Sequence, residues 1–377
     1  MSTILVTKPF QAPFEEITAE MQRAWDAEWL TNNGPLLKEF ETGLNEYLGT
    51  SECAVVSNGT VAIQVAMQAL EVSGEIITTP FSYVATTSTI VWERCTPVFV
   101  DVDPKTFNID PALIEAAITP QTTAILATHV FGVPCDVEAI QKIADAHGLK
   151  VIYDAAHCFG SKINGRSVMN YGDLSTLSLH ATKLMHSVEG GAIFVNDPSA
   201  KVEEFGEYIS PMRFRVNRLR NFGHFGPEVF DGVGINAKNS EMHAAIGLVN
   251  LRYADQIMAD RARQHEVYNQ ALATLELTVP EIPENVLWNK SYYPVVFRNE
   301  AEALFVKDGL EKEAVVARRY FHPALNTLPY IIHPGHTPQA AHVSSSILCL
   351  PLYFGLENET VSRIAAHVVR LCNEIRS

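Results

Sequence analysis

An α/β fold with a largely parallel sheet, followed by a smaller α+β unit, is predicted by three observations. Between Cys53 and Val195 short β-rich runs alternate with helical patterns, and such alternation builds a parallel sheet flanked by helices. After Ser240 the apolar spacing turns helical and stays so for three dozen residues. The chain has 377 residues of which 47% are apolar, more than one ordinary domain needs and enough for a large shared core.

The elements follow in order. Cys53-Ala-Val-Val-Ser57 reads as a strand and Thr60 to Leu70 as the helix after it. EIITTP (75–80) precedes a helix around Val84 to Arg94, and PVFVDVD (97–103) follows. TAILATHV (123–130) leads into a helix over Val137 to His147; VIYDAA, LSTLSL and GAIFVND complete the set. Ligands of open α/β sheets sit beyond the carboxyl ends of the strands. Ser57, Pro80, Asp154 and Ser178 all fall at or just after such ends. Residues 196–240 are rich in Arg, Asn, Gly and Phe without clear period and read as a long surface excursion. From Ser240 the positions Met242, Ala245, Ile246, Val249 and Leu251 predict one helix running to about Leu275. YYPVVF (292–297), a helix near Ala301 to Leu310, VVARRYF (315–321) and a last helix from Thr360 to Ile375 make the following unit α+β.

Charge and cysteine usage narrow the function. The formal charge is −15 and the 19% charged residues include no basic run, which argues against nucleic acid or an anionic membrane surface as partner. Six cysteines stand far apart with no C-x-x-C pair, so they are expected to be reduced thiols. Neither a leader pattern nor an apolar run of membrane-spanning length is present, and a soluble, cytoplasmic protein is expected.

Chemistry concentrates at a few positions. Lys183, in Ser178-Leu-His-Ala-Thr-Lys183 before Glu189-Gly190-Gly191, lies 29 positions after Asp154, which ends the apolar run VIY. Pyridoxal phosphate (PLP) needs a lysine amine for its Schiff base and an acidic partner for its ring nitrogen. Ser57-Asn58-Gly59-Thr60, opening a helix, offers free N–H groups and a positive dipole end to a phosphate. Tyr83 could stack on a planar ring, His157 could contact it, and Ser178 could add a hydroxyl. Each has a plainer reading alone: an N-cap, a loop aspartate, a core aromatic, a satisfied histidine, a solvated lysine. Their company favours the cofactor site. His129, Asp154, His157, His180 and His186 could instead ligate a metal for hydrolysis, but no H-E-x-x-H spacing joins any two. No G-x-S-x-G elbow or Rossmann fingerprint occurs.

The ordered set SNGT, PFSYVAT, VFVDVD, DAAH, SLHATK with EGG, and GINAKNSEMHAAIG resembles the DegT/StrS family of PLP-dependent nucleotide-sugar aminotransferases over nearly the whole chain. The resemblance implies an aspartate-aminotransferase-like fold, with a large PLP domain and N-terminal arm (1–245) and a small C-terminal domain (246–377). It implies a homodimer whose active sites share residues. Lys183 would carry the Schiff base, Asp154 would pair with the ring nitrogen, Tyr83 would stack on the ring and His157 would lie near its 3-hydroxyl. Gly59, Thr60 and Ser178 would hold the phosphate with Asn236 from the second subunit, while Thr31 and Asn33 of WLTNNGP would lie near the sugar nucleotide. Lys238 stands where the family often has arginine, and Pro323-Ala-Leu-Asn326 where it often has a histidine. A dehydratase branch has histidine at the Schiff-base position, so Lys183 favours transamination. NAK-N-SE, WLTNNGP and RRYFHP resemble the branch that aminates dTDP-4-keto-6-deoxyglucose with L-glutamate for O-antigen and other surface glycans. A 3-keto or UDP-linked sugar, or a non-catalytic PLP-binding regulator, are the alternatives.

Overall fold

The computed structural model describes residues 3–377 apart from Pro198, Ala200, Phe205 and Gly206. Its centre is a seven-stranded sheet of β1 (Cys53–Val56), β2 (Glu75–Thr78), β3 (Thr96–Phe99), β4 (Thr122–Thr128), β5 (Lys150–Asp154), β6 (Leu174–Ser178) and β7 (Gly191–Val195), in the order β1-β7-β6-β5-β4-β2-β3. β7 runs antiparallel to both neighbours and all other pairings are parallel. The fold is therefore α/β with a mostly parallel sheet, as the alternation predicts.

Burial on both faces explains why the strands read as continuous apolar runs. Val151 and Tyr153 of β5 join one core with α1 (Phe14–Asp26), α2 (Pro35–Leu48) and the helix Val137–His147. Ile152 and its neighbours Ala124 and Leu126 face the other way, against α3 (Gly59–Ala69) and α4 (Val84–Trp92). Period-two alternation continues that second face to Thr128 and Asp154, which pair in register at the carboxyl ends of β4 and β5. This places both side chains on the side of the sheet where α3 and α4 begin.

A separate core forms from Tyr268, Leu272, Tyr293, Val295, Leu310, Leu348, Ile364 and Val368, with Ile4 from the N-terminal arm added to it. It is built on the antiparallel pair Tyr293–Val296 and Ile347–Leu350 with helices Glu300–Lys312 and Asn358–Arg376. The helix Ala254–Leu272 spans both cores: Ala254 and Ile257 pack in the large one, Tyr268 and Leu272 in the small one.

Three expectations need correction. The stretch 196–240 is not wholly irregular, since Val202–Glu204 pairs with Glu207–Ile209 and Pro211–Leu219 is helical. Pro211 at the first helical position and Ser210, whose side chain accepts from the Arg213 N–H, mark that helix locally. The single helix expected from Ser240 is two, Glu241–Arg252 and Ala254–Leu272, broken at Tyr253. VVARRYF forms isolated bridges at Val315 and Arg318 rather than a strand.

Candidate active site

A cavity of about 690 Å³ opens at the carboxyl end of the parallel strands, lined by Asn58, Gly59, Thr60, Tyr83, Asp154, His157, Ser178 and Lys183 among others. Asp154 ends β5, Ser178 ends β6, and Gly59 and Thr60 begin α3 directly after β1. Sheet order makes β6 and β5 neighbours with Asp154 opposite Thr176, so Asp154 and Ser178 end adjacent strands at the same edge of the sheet.

The cradle at α3 is shaped by close approach. Asn58 caps the helix by accepting from the Val61 N–H at 2.9 Å, which leaves the Gly59 and Thr60 N–H groups without intrahelical acceptors. A Cβ on Gly59 would stand 3.0 Å from Ser178 Cβ, and one on Gly191 would stand 2.5 Å from the Asn58 carbonyl oxygen. Glycine at both positions lets the helix start and the strand that follows the lysine turn meet. That turn is closed by Leu179 N–H to Gly190 O at 2.8 Å and Ala181 N–H to Val188 O at 2.7 Å.

Electrostatics distinguish the central residues. Burial holds the Lys183 amine below its usual range, to about 8, against the opposing attraction of Asp154 and Tyr83. A neutral nucleophilic fraction therefore exists near neutral pH. Asp154 is 5% exposed, and burial pushes its carboxyl above the ordinary value while Thr86, the Ala156 N–H and Lys183 pull it back. Thr86 Oγ1 donates to Oδ2 at 2.7 Å and the Ala156 N–H to Oδ1 at 3.1 Å. His157 is buried, held well below its ordinary value by burial and then by Lys183. Both its ring nitrogens lack a hydrogen-bond partner among the described residues, and its ring stacks on Phe321 with centroids 5.5 Å apart and planes 6° from parallel.

These features suit PLP. Two unpartnered buried nitrogens on His157 await an acceptor or donor, an amine and a buried carboxylate share one cavity, and the glycine-lined cradle presents free N–H groups. Among the described residues no group of three or more His, Cys, Asp or Glu is placed to hold a metal ion. His129 is buried with Nδ1 accepting from the Cys135 N–H at 3.0 Å, and its ring stacks on Tyr153. His186 donates from Nε2 to the Phe10 carbonyl at 2.8 Å.

Asn236 and Thr31 do not line this cavity. They line an adjoining depression of about 460 Å³ with Asn32, Lys238, Asn239 and His243, which shares Ser57 and Glu189 with the main cavity. Asn33 lines neither. Tyr83 is 57% exposed, so one side of it is uncovered. Sequence reasoning missed Thr86, which donates to Asp154, and Tyr292, Arg318, Tyr320 and Phe321, which line the cavity from the C-terminal region. Arg318 makes no ion pair among the described residues and brings a guanidinium to the cavity. The RRYF run was visible as a motif, but nothing local in it points at His157.

A profile of the DegT/DnrJ/EryC1/StrS aminotransferase family matches residues 12–369. The chain is 38% identical over 373 residues to the dTDP-4-amino-4,6-dideoxy-D-glucose transaminase of Shigella dysenteriae, covering 97% of this chain and 98% of that protein. It is 30% identical over 350 residues to the GDP-perosamine synthase of Caulobacter vibrioides, covering 90% and 91%. Among solved structures, DesI in the presence of its TDP-sugar product superposes with a TM-score of 0.91 at 31% identity, over 100% of this chain and 95% of that one.

Proposed function

The chain belongs to the DegT/DnrJ/EryC1/StrS aminotransferase family, and from that premise we propose that it moves the amino group of L-glutamate to a nucleotide-linked 4-keto-6-deoxy sugar with PLP as cofactor. The identity to the Shigella dysenteriae transaminase supports dTDP-4-keto-6-deoxy-D-glucose as acceptor and dTDP-4-amino-4,6-dideoxy-D-glucose as product. The observation that carries the reading is the juxtaposition of Lys183, Asp154 and the Gly59–Ser178 cradle in one cavity.

When bound, PLP supplies an electron sink that stabilises negative charge on the carbon losing a proton. The protein's part is holding and proton transfer. The Gly59 and Thr60 N–H groups and the Ser178 hydroxyl would hold the phosphate, Tyr83 would stack on the ring, and His157 would lie near the 3-hydroxyl. Asp154 would pair with the ring nitrogen and keep it protonated. Lys183 Nζ would hold the cofactor until the glutamate amine replaces it; the freed amine would take the proton from the α-carbon of glutamate, whose skeleton leaves as 2-oxoglutarate, and in the second half would deliver one to the sugar carbon that receives nitrogen. An amine held at about 8 can do both near neutral pH. Arg318 offers a cation to an anionic group of the substrate.

A homodimer completes this reading. Asn236, outside the main cavity, would reach the phosphate of the second copy's site, and Thr31 and Asn33 would lie near the sugar nucleotide. The enzyme acts in the cytoplasm, supplying an amino sugar to O-antigen or related glycan synthesis. Among the described residues no helix is long and apolar enough to cross a membrane.

The test is an absorbance spectrum of the purified protein with PLP, before and after L-glutamate and then after dTDP-, UDP- and GDP-linked keto sugars. A visible band bleached by glutamate and restored by the dTDP-4-keto sugar is expected. Restoration only by a GDP-linked sugar would move the acceptor towards that of the GDP-perosamine synthase, and no band at all would overturn the proposal.

A further inference from the structure

Behind Asp154 runs a line of three buried hydroxyls that the reaction above does not use. Thr128 ends β4, Ser82 lies in the turn after β2, and Thr86 is in the first turn of α4; none is more than 1% exposed. Thr128 Oγ1 is 3.0 Å from Ser82 Oγ, Ser82 Oγ is 2.8 Å from Thr86 Oγ1, and Thr86 Oγ1 is 2.7 Å from Asp154 Oδ2.

Counting protons gives the line a direction. An ionised carboxylate only accepts, and a hydroxyl has one hydrogen to donate. Thr86 must therefore donate to Asp154, Ser82 must donate to Thr86, and Thr128 must donate to Ser82. All three dipoles point towards Oδ2, and hydroxyls in such a chain polarise one another. The Thr86–Thr128 separation of 3.5 Å adds a marginal contact and no change of direction. The other oxygen, Oδ1, is held by the Ala156 N–H, so both oxygens have fixed neutral donors.

We propose that Thr86, backed by Ser82 and Thr128, is a positioning residue that keeps the Asp154 carboxylate ionised and turned towards the cofactor's ring nitrogen. The inference rests on the PLP reading of the site. Burial alone drives the carboxyl towards its neutral form, and Thr86 is the foremost of the groups opposing that drive. Three hydroxyls from three elements form one chain whose last member, Thr86, ends on a single carboxylate oxygen, an arrangement that a purely structural threonine would not require.

The test reconstitutes the apoprotein with PLP labelled with ¹⁵N in the ring. Its ¹⁵N NMR shift reports protonation of the ring nitrogen, and a fluorescence titration gives cofactor affinity. Thr86→Val, which keeps shape and removes the hydroxyl, is expected to move the signal towards the unprotonated form and weaken PLP binding about tenfold, the worth of a hydrogen bond to a charged group. Thr86→Ser should restore both to within about threefold. A Thr86→Val protein with wild-type shift and affinity, or one that loses melting temperature alone, would overturn the proposal. If that variant does not fold, Ser82→Ala leaves Thr86 and Asp154 in place and should shift the signal the same way by less; no shift there overturns it equally. Failure of wild-type apoprotein to bind PLP would take down the site reading along with the relay, whereas bound wild type with an unaltered variant sinks the relay alone.

Discussion

Among the carboxylates drawn out of water in this molecule, Glu41 and Asp154 are handled in opposite ways. Glu41, on α2, is 12% exposed and lies between Arg213 Nη2 at 2.7 Å and Arg220 Nη1 at 2.5 Å, with the Val55 N–H on Oε1 at 2.8 Å. Its partners overcome the burial, and the carboxyl sits below the ordinary value. Asp154 receives a hydroxyl and one N–H as direct donors, with Lys183 acting on it only as a nearby charge, and sits above the ordinary value. Glu41 is neutralised inside the fold, tying α2 to β1 and to the helix Pro211–Leu219. Asp154 has no cationic side chain in hydrogen-bond reach among the described residues, and on the proposed reading a cationic ring nitrogen would complete it. The difference separates a clamp from a binding group, though both are buried acids on the same chain.

The comparison can be broken most directly at Lys183 and Asp154. Lys183→Ala should reduce multiple turnover by at least about 10³-fold, within the range of positioned general bases, with the apoprotein melting no lower than wild type. Product formation with excess glutamate and keto sugar checks this. Asp154→Asn should cost roughly 10²- to 10³-fold in kcat and leave apoprotein stability unchanged or raised, measured by thermal melting. Glu41→Gln should do the reverse. Two buried guanidiniums left short of charge should destabilise the fold by about 3–5 kcal/mol, while kcat per folded molecule stays within about threefold. Denaturant unfolding read beside initial rates would expose any exchange of these roles.

Acid titration sharpens the contrast in sign. The lowered Glu41 value means its contribution is present above the unfolded carboxylate value and is lost as pH falls through the folded one. The stability gap between wild type and Glu41→Gln should therefore close as pH is lowered below about 4.5. For Asp154 the raised value means that ionisation is opposed in the fold, so wild type gains on Asp154→Asn, in thermal melts, as pH falls through the folded value towards the ordinary carboxylate one, and is flat above the folded value. The smallest effect concerns Lys183. With its amine at about 8, the rate of PLP capture by apoprotein should rise about tenfold between pH 7 and 9 and then level, instead of climbing to the ordinary lysine value.

Much of this was legible in the residues because it is local. Each strand of the sheet carries its own apolar run, and the helix Val137–His147 carries Asp136 as cap and Gly148 as stop. The site residues named from sequence at strand ends, Asp154 and Ser178, reach one cavity because parallel strands end together. The run 196–240 was less legible, since a helix of nine residues with a polar surface has weak periodicity. The break at Tyr253 was hidden because apolar spacing continues across it.

The sequence by itself determined the α/β alternation, the lysine with its glycine turn, and the aspartate at the end of an apolar strand, because each depends on neighbours within a few residues. Only the tertiary structure decided that Thr128, Ser82 and Thr86 line up to end on Asp154, that Phe321 stacks on His157, and that Glu41 rather than Asp154 receives the arginines. Those outcomes depend on which strands become neighbours and which helix lies across them. Contacts between distant residues are fixed by how two cores bury their apolar faces together, and no short stretch of chain carries that information.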